Sequence, residues 1–178
     1  DRRGAARCDE LRDAGHLPLV RSTTGLVLDP YFSATKVEWL FTEGGLDRDD
    51  PHLALGTIDT WLLWNLTGGE VHATEPSNAS RTMLFDIGAL GWSEELCDLF
   101  GVPMGALPDV RPSSGRFGVT HESSGLPAGI PISGIAGDQQ AALFGQACFA
   151  PGQAKCTYGT GAFVLRTVGP QVRSTKAP

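Results

Sequence analysis

The stretch Ile132-Ser133-Gly134-Ile135-Ala136-Gly137-Asp138-Gln139-Gln140-Ala141-Ala142-Leu143-Phe144-Gly145-Gln146 changes its periodicity in the middle, and that change decides the fold class. Ile132 to Ala136 is a short apolar run of the kind that makes a buried strand. Gly137-Asp138 supplies a turn at its carboxyl end. From Gln139 to Cys148 the spacing of Ala142, Leu143 and Gln146 predicts a helix. A strand that feeds directly into a helix is the building unit of α/β proteins, and ligands of open α/β sheets collect at the carboxyl ends of the strands. Asp138 sits at that edge. A carboxylate there can cap the helix, hold a metal through water, or accept a proton from a substrate hydroxyl, and spacing does not separate the three. Gln139 adds an amide able to hydrogen-bond a polyol hydroxyl.

Downstream, Gln153 to Tyr158 and Ala162 to Thr167 read as two strands joined by Gly159-Thr160-Gly161. Glycine N–H groups beside a hydroxyl are the ingredients of an anion-binding concavity, although a hairpin needs glycine for its turn in any case. The turn is not a Walker loop, since no Gly-Lys-Ser/Thr follows, and no Gly-x-Gly-x-x-Gly opens a helix.

Upstream, Ala5, Cys8 and Leu11 fall at helical spacing with no capping residue before them, as though the sequence begins inside a helix. Ser33 to Gly44-Gly45, Thr57 to Leu66 with Gly68-Gly69 behind it, and Ser93-Glu94-Glu95 to Gly101 predict three more helices with polar starts and glycine stops. Leu53 to Gly56 predicts a strand, as do Phe117 to Thr120 and Ile130 to Ile135. Trp61 and Trp64 are expected to pack into the core against a sheet. Tyr31 stands just before a helix start, where its hydroxyl could face a pocket, and Arg81 could steer phosphate or pair with a carboxylate.

Composition narrows the partners. The 178 residues are 41% hydrophobic, enough for a sizeable core, and the formal charge of −6 is spread without an acidic or basic block. That argues against nucleic acid as the main partner. No run approaches the roughly 20 apolar residues of a membrane span, and the opening Asp1-Arg2-Arg3-Gly4 lacks the apolar core of a signal peptide, so the expected compartment is the cytoplasm. The four cysteines, Cys8, Cys97, Cys148 and Cys156, show neither zinc nor redox spacing and are expected to be buried thiols. Asn78-Ala79-Ser80 fits a glycosylation acceptor, which matters only in a secreted protein.

Several long segments together carry a resemblance. They are Arg21 to Leu26 leading into Asp29-Pro30-Tyr31-Phe32-Ser33-Ala34-Thr35-Lys36, then Gly56 to Trp64, Asn78 to Phe85, the strand–Asp138–helix stretch quoted above, and Thr157-Tyr158-Gly159-Thr160-Gly161. These resemble the FGGY family of carbohydrate kinases, and within it the members that phosphorylate glycerol. The resemblance implies an α/β chain of the ribonuclease-H-like, actin-like ATPase type, with substrates in a cleft between two domains. Residues 1–147 would be the later part of the first domain, and 148–178 the opening hairpin of the second.

By the same resemblance, Asp138 is the base on the attacking hydroxyl and also binds glycerol. Tyr31 and Gln139 line the glycerol pocket, Gly159 and Thr160 lie at the ATP phosphates, and magnesium arrives with the nucleotide. The implied reaction is ATP-dependent phosphorylation of glycerol to sn-glycerol 3-phosphate, in a homo-oligomer, dimer or tetramer. The family's amino-terminal phosphate-binding segment and the Arg-Glu pair that grips glycerol have no counterpart in this sequence, so the chain alone is expected to be inactive. Gly129 stands where many bacterial relatives carry an arginine of a fructose-1,6-bisphosphate site, which implies weak or absent regulation by that ligand. Two other readings stay open: a kinase of the same fold acting on another polyol or a ketose, and a non-catalytic, ATP-binding module.

Overall fold

A computed structural model of the chain describes residues 1–159 and 161–170. The chain forms two compact units, Asp1–Ile135 and Ala136 onward.

The first unit opens with helix α1 (Ala5–Asp13), which buries Cys8 and Leu11; it does not run in from the first residue as expected but starts at Ala5, after Gly4, which offers no side-chain cap. Helix α2 (Leu17–Thr24) was not expected. Its proline occupies the first turn, where a missing N–H costs nothing, and Gly25 ends it at φ 71°. Helix α3 (Ala34–Thr42) follows Ser33, whose side chain makes no cap hydrogen bond, and helix α4 (Ile58–Leu66) follows Thr57. Strand β1 (Ala73–Thr74) leads into the short helix α5 (Pro76–Ala79). Strands β2 (Phe85–Asp86) and β3 (Gly91–Trp92) pair antiparallel. Helix α6 (Glu94–Leu99) has the expected signals: the Ser93 hydroxyl accepts from the Leu96 N–H at 3.3 Å, Glu94 and Glu95 fill the first turn, and Gly101 stops the helix at φ 61°.

Strand β4 (Asp109–Val110) pairs parallel with β1. Strand β5 (Ser114–Val119) pairs antiparallel with β6 (Pro131–Gly134), with a register shift between Ser114 and Gly118. The main core gathers Leu11, Val20, Leu28, Met83, Leu96 and Phe100 from α1, α2, α6 and the connecting loops. Each such fully buried side chain contributes about 1.5–3 kcal/mol. A smaller cluster of Leu63, Ala73 and Phe117 joins α4 to β1 and β5.

Four further expectations fail here. Leu53 to Gly56 forms no strand; that segment is held instead by the Leu55 N–H donating to Ala106 O at 2.8 Å. Strand β6 is not buried: it has one partner strand, and only its Ile132, with Ile135 just beyond it, packs in part on the smaller cluster. Trp61 is 64% and Trp64 38% exposed, because the helix face that reaches the core belongs to Thr60 and Leu63. Of the thiols, Cys8 and Cys97 are buried, while Cys148 is half-buried and Cys156 exposed.

The second unit consists of helix α7 (Asp138–Gly145) and an antiparallel hairpin of β7 (Ala154–Tyr158) and β8 (Ala162–Arg166). The helix stops at Gly145, short of Cys148, because Ala147 takes a left-handed φ of 56°. None of the described helices is long and apolar enough to cross a membrane.

Candidate active site

Asp138 opens α7. Gly137, which has no side chain, holds the N-cap position, and the Asp138 carboxylate itself takes up one first-turn N–H, so a capping contact is in use and leaves the other two roles open. Its side chain is exposed and folds onto its neighbour: Oδ1 accepts from the Gln139 N–H at 2.8 Å and Oδ2 from Gln139 Nε2 at 3.1 Å. Lone pairs remain on both oxygens for a further donor. The other face of the Gln139 amide is held by Lys155, whose ammonium donates to Gln139 Oε1 and, at 2.7 Å, to Thr157 Oγ1. Asp138, Gln139 and Lys155 thus form one hydrogen-bonded group.

The tight turn between β7 and β8 is present, with Tyr158 opposite Ala162 and the Gly159 N–H donating to Gly161 O at 3.0 Å. That N–H is engaged within the turn. Thr160 lies outside the described residues.

In the first unit, Tyr31 is 64% exposed beside a groove of about 490 Å³ that is also lined by Cys8, Asp9, Arg12, Leu28 and Asp29. Its ring meets Phe32 edge-on at 5.3 Å, and its N–H donates to Asp29 Oδ1 at 2.7 Å. The segment is pinned by Lys36, whose ammonium donates to the carbonyls of Pro30, Tyr31 and Phe32 at 2.6, 2.9 and 2.9 Å. Burial pulls that ammonium below its ordinary value. Arg81 pairs with no carboxylate among the described residues and lies over the Phe32 ring, 4.9 Å from its centroid.

The Asn78-Ala79-Ser80 acceptor pattern is accounted for internally, since Asn78 Nδ2 donates to Glu75 Oε1 at 2.7 Å within a turn that Glu75 caps. Sequence reasoning missed Glu75, Lys36 and Lys155 as anchors. Lys36 and Lys155 carried the only available signal, a lysine within or next to a glycine- or aromatic-rich motif.

Residues 1–145 match the model of the FGGY family of carbohydrate kinases, N-terminal domain. The chain belongs to the FGGY family of carbohydrate kinases. This FGGY chain is 57% identical over 177 residues to glycerol kinase from Alcanivorax borkumensis, a match covering 98% of this chain and 35% of that protein. Glycerol kinase from Thermus brockianus is 56% identical over 172 residues, covering 95% of this chain and 34% of the relative. Among solved structures, Plasmodium falciparum glycerol kinase with ADP superposes with a TM-score of 0.87 at 39% identity, covering 93% of this chain and 34% of that one.

The FGGY chain therefore spans about a third of the length of the curated relatives it matches. Its fold is that of the FGGY sugar kinases, ribonuclease-H-like and actin-like. Among the described residues no cluster of three His, Cys, Asp or Glu side chains could cage a metal ion.

Proposed function

We propose that the whole protein transfers the γ-phosphoryl group of magnesium ATP to glycerol, producing sn-glycerol 3-phosphate and ADP. The Asp138 carboxylate takes the proton of the attacking hydroxyl as the new O–P bond forms. The bond from phosphorus to the β-phosphate oxygen breaks and ADP leaves. Tyr31 and Gln139 contact glycerol, and Gly159 and Thr160 lie at the nucleotide's phosphates. Phosphoryl transfer through a loose transition state asks for alignment and charge neutralisation rather than covalent help, which suits this residue set. A pocket of carboxylate, amide and phenol suits an uncharged triol, and an analogue lacking one hydroxyl would leave pocket groups unpaired.

One observation carries the reading: Asp138 is exposed at the start of α7, engaged only by its own neighbour among the described residues, within a chain 57% identical to a glycerol kinase. The family match to residues 1–145 supports a first domain reaching about residue 147, with 148–178 opening the second. We place the protein in the cytoplasm as a dimer or tetramer, a state that light scattering would read directly.

A glycerol-dependent ADP-release assay on the whole protein tests the reading. Asp138→Asn is expected to lower kcat about a hundredfold or more, and equal turnover of the two proteins refutes the base. A second reading, a kinase for another polyol or a ketose, draws on the superposition on a xyloylose kinase from Brucella ovis, with a TM-score of 0.77 at 26% identity. Relative rates on glycerol, erythritol and xylulose discriminate between the two, with glycerol expected to lead.

A further inference from the structure

Lys155 is the one fully buried residue among the described residues of the hairpin. It is 3% exposed, while its neighbours Ala154 and Cys156 in β7 are exposed. Among the described residues no carboxylate comes within ion-pair distance of its ammonium, which is held by Gln139 Oε1 and Thr157 Oγ1. Thr157, two residues along the strand, shares its face. Burying an ammonium with two neutral partners is costly, and such a group is retained where it does something else.

An ammonium has donors only, so the atom of the Gln139 amide that faces it has to be the oxygen. The amide NH2 is thereby turned toward Asp138, where one hydrogen is donated to Oδ2 at 3.1 Å. The Asp138 carboxylate, which only accepts, selects the same orientation, so the cation on one side and the carboxylate on the other fix the amide together. The flipped one would set the amide oxygen against the Asp138 carboxylate.

We propose that Lys155 is a positioning residue for phosphoryl transfer: it locks the Gln139 amide so that its NH2 faces the reaction site, holding one oxygen of Asp138 and leaving one N–H for a glycerol hydroxyl. This rests on Asp138 as the base and Gln139 as a glycerol contact. The ammonium also polarises the amide, strengthening its donation to the carboxylate. Lys155 touches no reacting atom and acts through Gln139.

The test is a double-mutant cycle in the whole protein, read as separate kcat and KM values for glycerol and for magnesium ATP, with thermal unfolding alongside. Lys155→Met is expected to lower kcat/KM for glycerol about tenfold, the scale of one charge-assisted hydrogen bond, while KM for magnesium ATP changes less than about twofold. In a Gln139→Leu background the same change is expected to cost less than about twofold, because the group it orients is gone. Should Lys155→Met fail to fold, Lys155→Gln, which retains a donor, takes its place in the cycle, with a smaller loss expected and the same coupling to Gln139. An undiminished loss in the Gln139→Leu background, or a loss confined to magnesium ATP, overturns the inference. Asp138→Asn at the parental rate overturns the base and the inference together. An inactive Asp138→Asn beside a fully active Lys155→Met overturns the inference alone.

Discussion

The Ser113 hydroxyl donates to Glu75 Oε2 at 2.6 Å, joining two loops 38 residues apart in sequence. Glu75 is completely buried and accepts four further hydrogen bonds, from the N–H groups of Ser77 and Asn78, the Ser77 hydroxyl and Asn78 Nδ2. Ser113 in turn accepts the Ile135 N–H on its carbonyl at 3.0 Å. One carboxylate therefore caps α5 and anchors the start of the β5–β6 pair, and through Ser113 it also ties down Ile135, the residue just after β6.

Glu75→Ala is expected to destabilise the protein by about 3 kcal/mol or more, since it strands several buried donors, and Glu75→Gln by about 1–2 kcal/mol. Burial raises the Glu75 carboxyl, but the hydrogen bonds from Ser113, Ser77 and Asn78 together outweigh it and hold the group below its ordinary 4.5. A depressed value in the folded state means that its stabilisation is fully present above pH 4.5 and is lost as pH falls through the folded value. Thermal unfolding between neutral and acid pH checks the sign: this part of the acid decline should be missing in Glu75→Gln.

Lys36→Met removes the tie on the carbonyls of Pro30, Tyr31 and Phe32. Hydrogen exchange in that segment should quicken while α1 and α6 keep their protection. If Tyr31 contacts glycerol, KM for glycerol should rise by about three- to tenfold, the scale of one lost neutral hydrogen bond. Unchanged exchange at Tyr31 would show that the loop holds without the ammonium.

Gly129 adopts φ 87° in a turn where its N–H donates to Thr120 O at 2.8 Å. Any residue with a Cβ is strained there, so Gly129→Arg should cost about 1–2 kcal/mol in denaturant unfolding. The same backbone argues against the arginine position of a bisphosphate site. Micromolar fructose-1,6-bisphosphate should leave the whole protein's rate unchanged, and clear inhibition would refute this.

Burial pushes the Cys97 thiol up to about 11, with Asp98 adding to the effect, and raises Cys8 by burial first and by the nearby Asp29 second. In native protein at pH 8, a maleimide should modify Cys156 and then Cys148, and reach Cys8 and Cys97 only on unfolding. Peptide mass spectrometry reads the order, and early labelling of Cys97 would contradict its burial.

The sequence by itself determined the features that depend on local chemistry. The Ser93-Glu94-Glu95 start and Gly101 stop of α6 appear where their residues place them, because caps and left-handed glycines act within a few bonds, and the glycine turn between β7 and β8 and the helix opening at Asp138 also fall where their pattern put them. Where apolar pattern alone was read, the result was mixed. Trp61 and Leu53 to Gly56 were misjudged because a hydrophobic side chain does not say which face finds a partner.

Tertiary structure decided the partners. That Glu75 meets Ser113 across 38 residues and that Lys155 reaches back to Gln139 across 16 depends on chain reversals that no local pattern encodes. A buried charge is tolerated only where the fold gathers enough donors or acceptors around it, so its neighbours become known when the chain has closed.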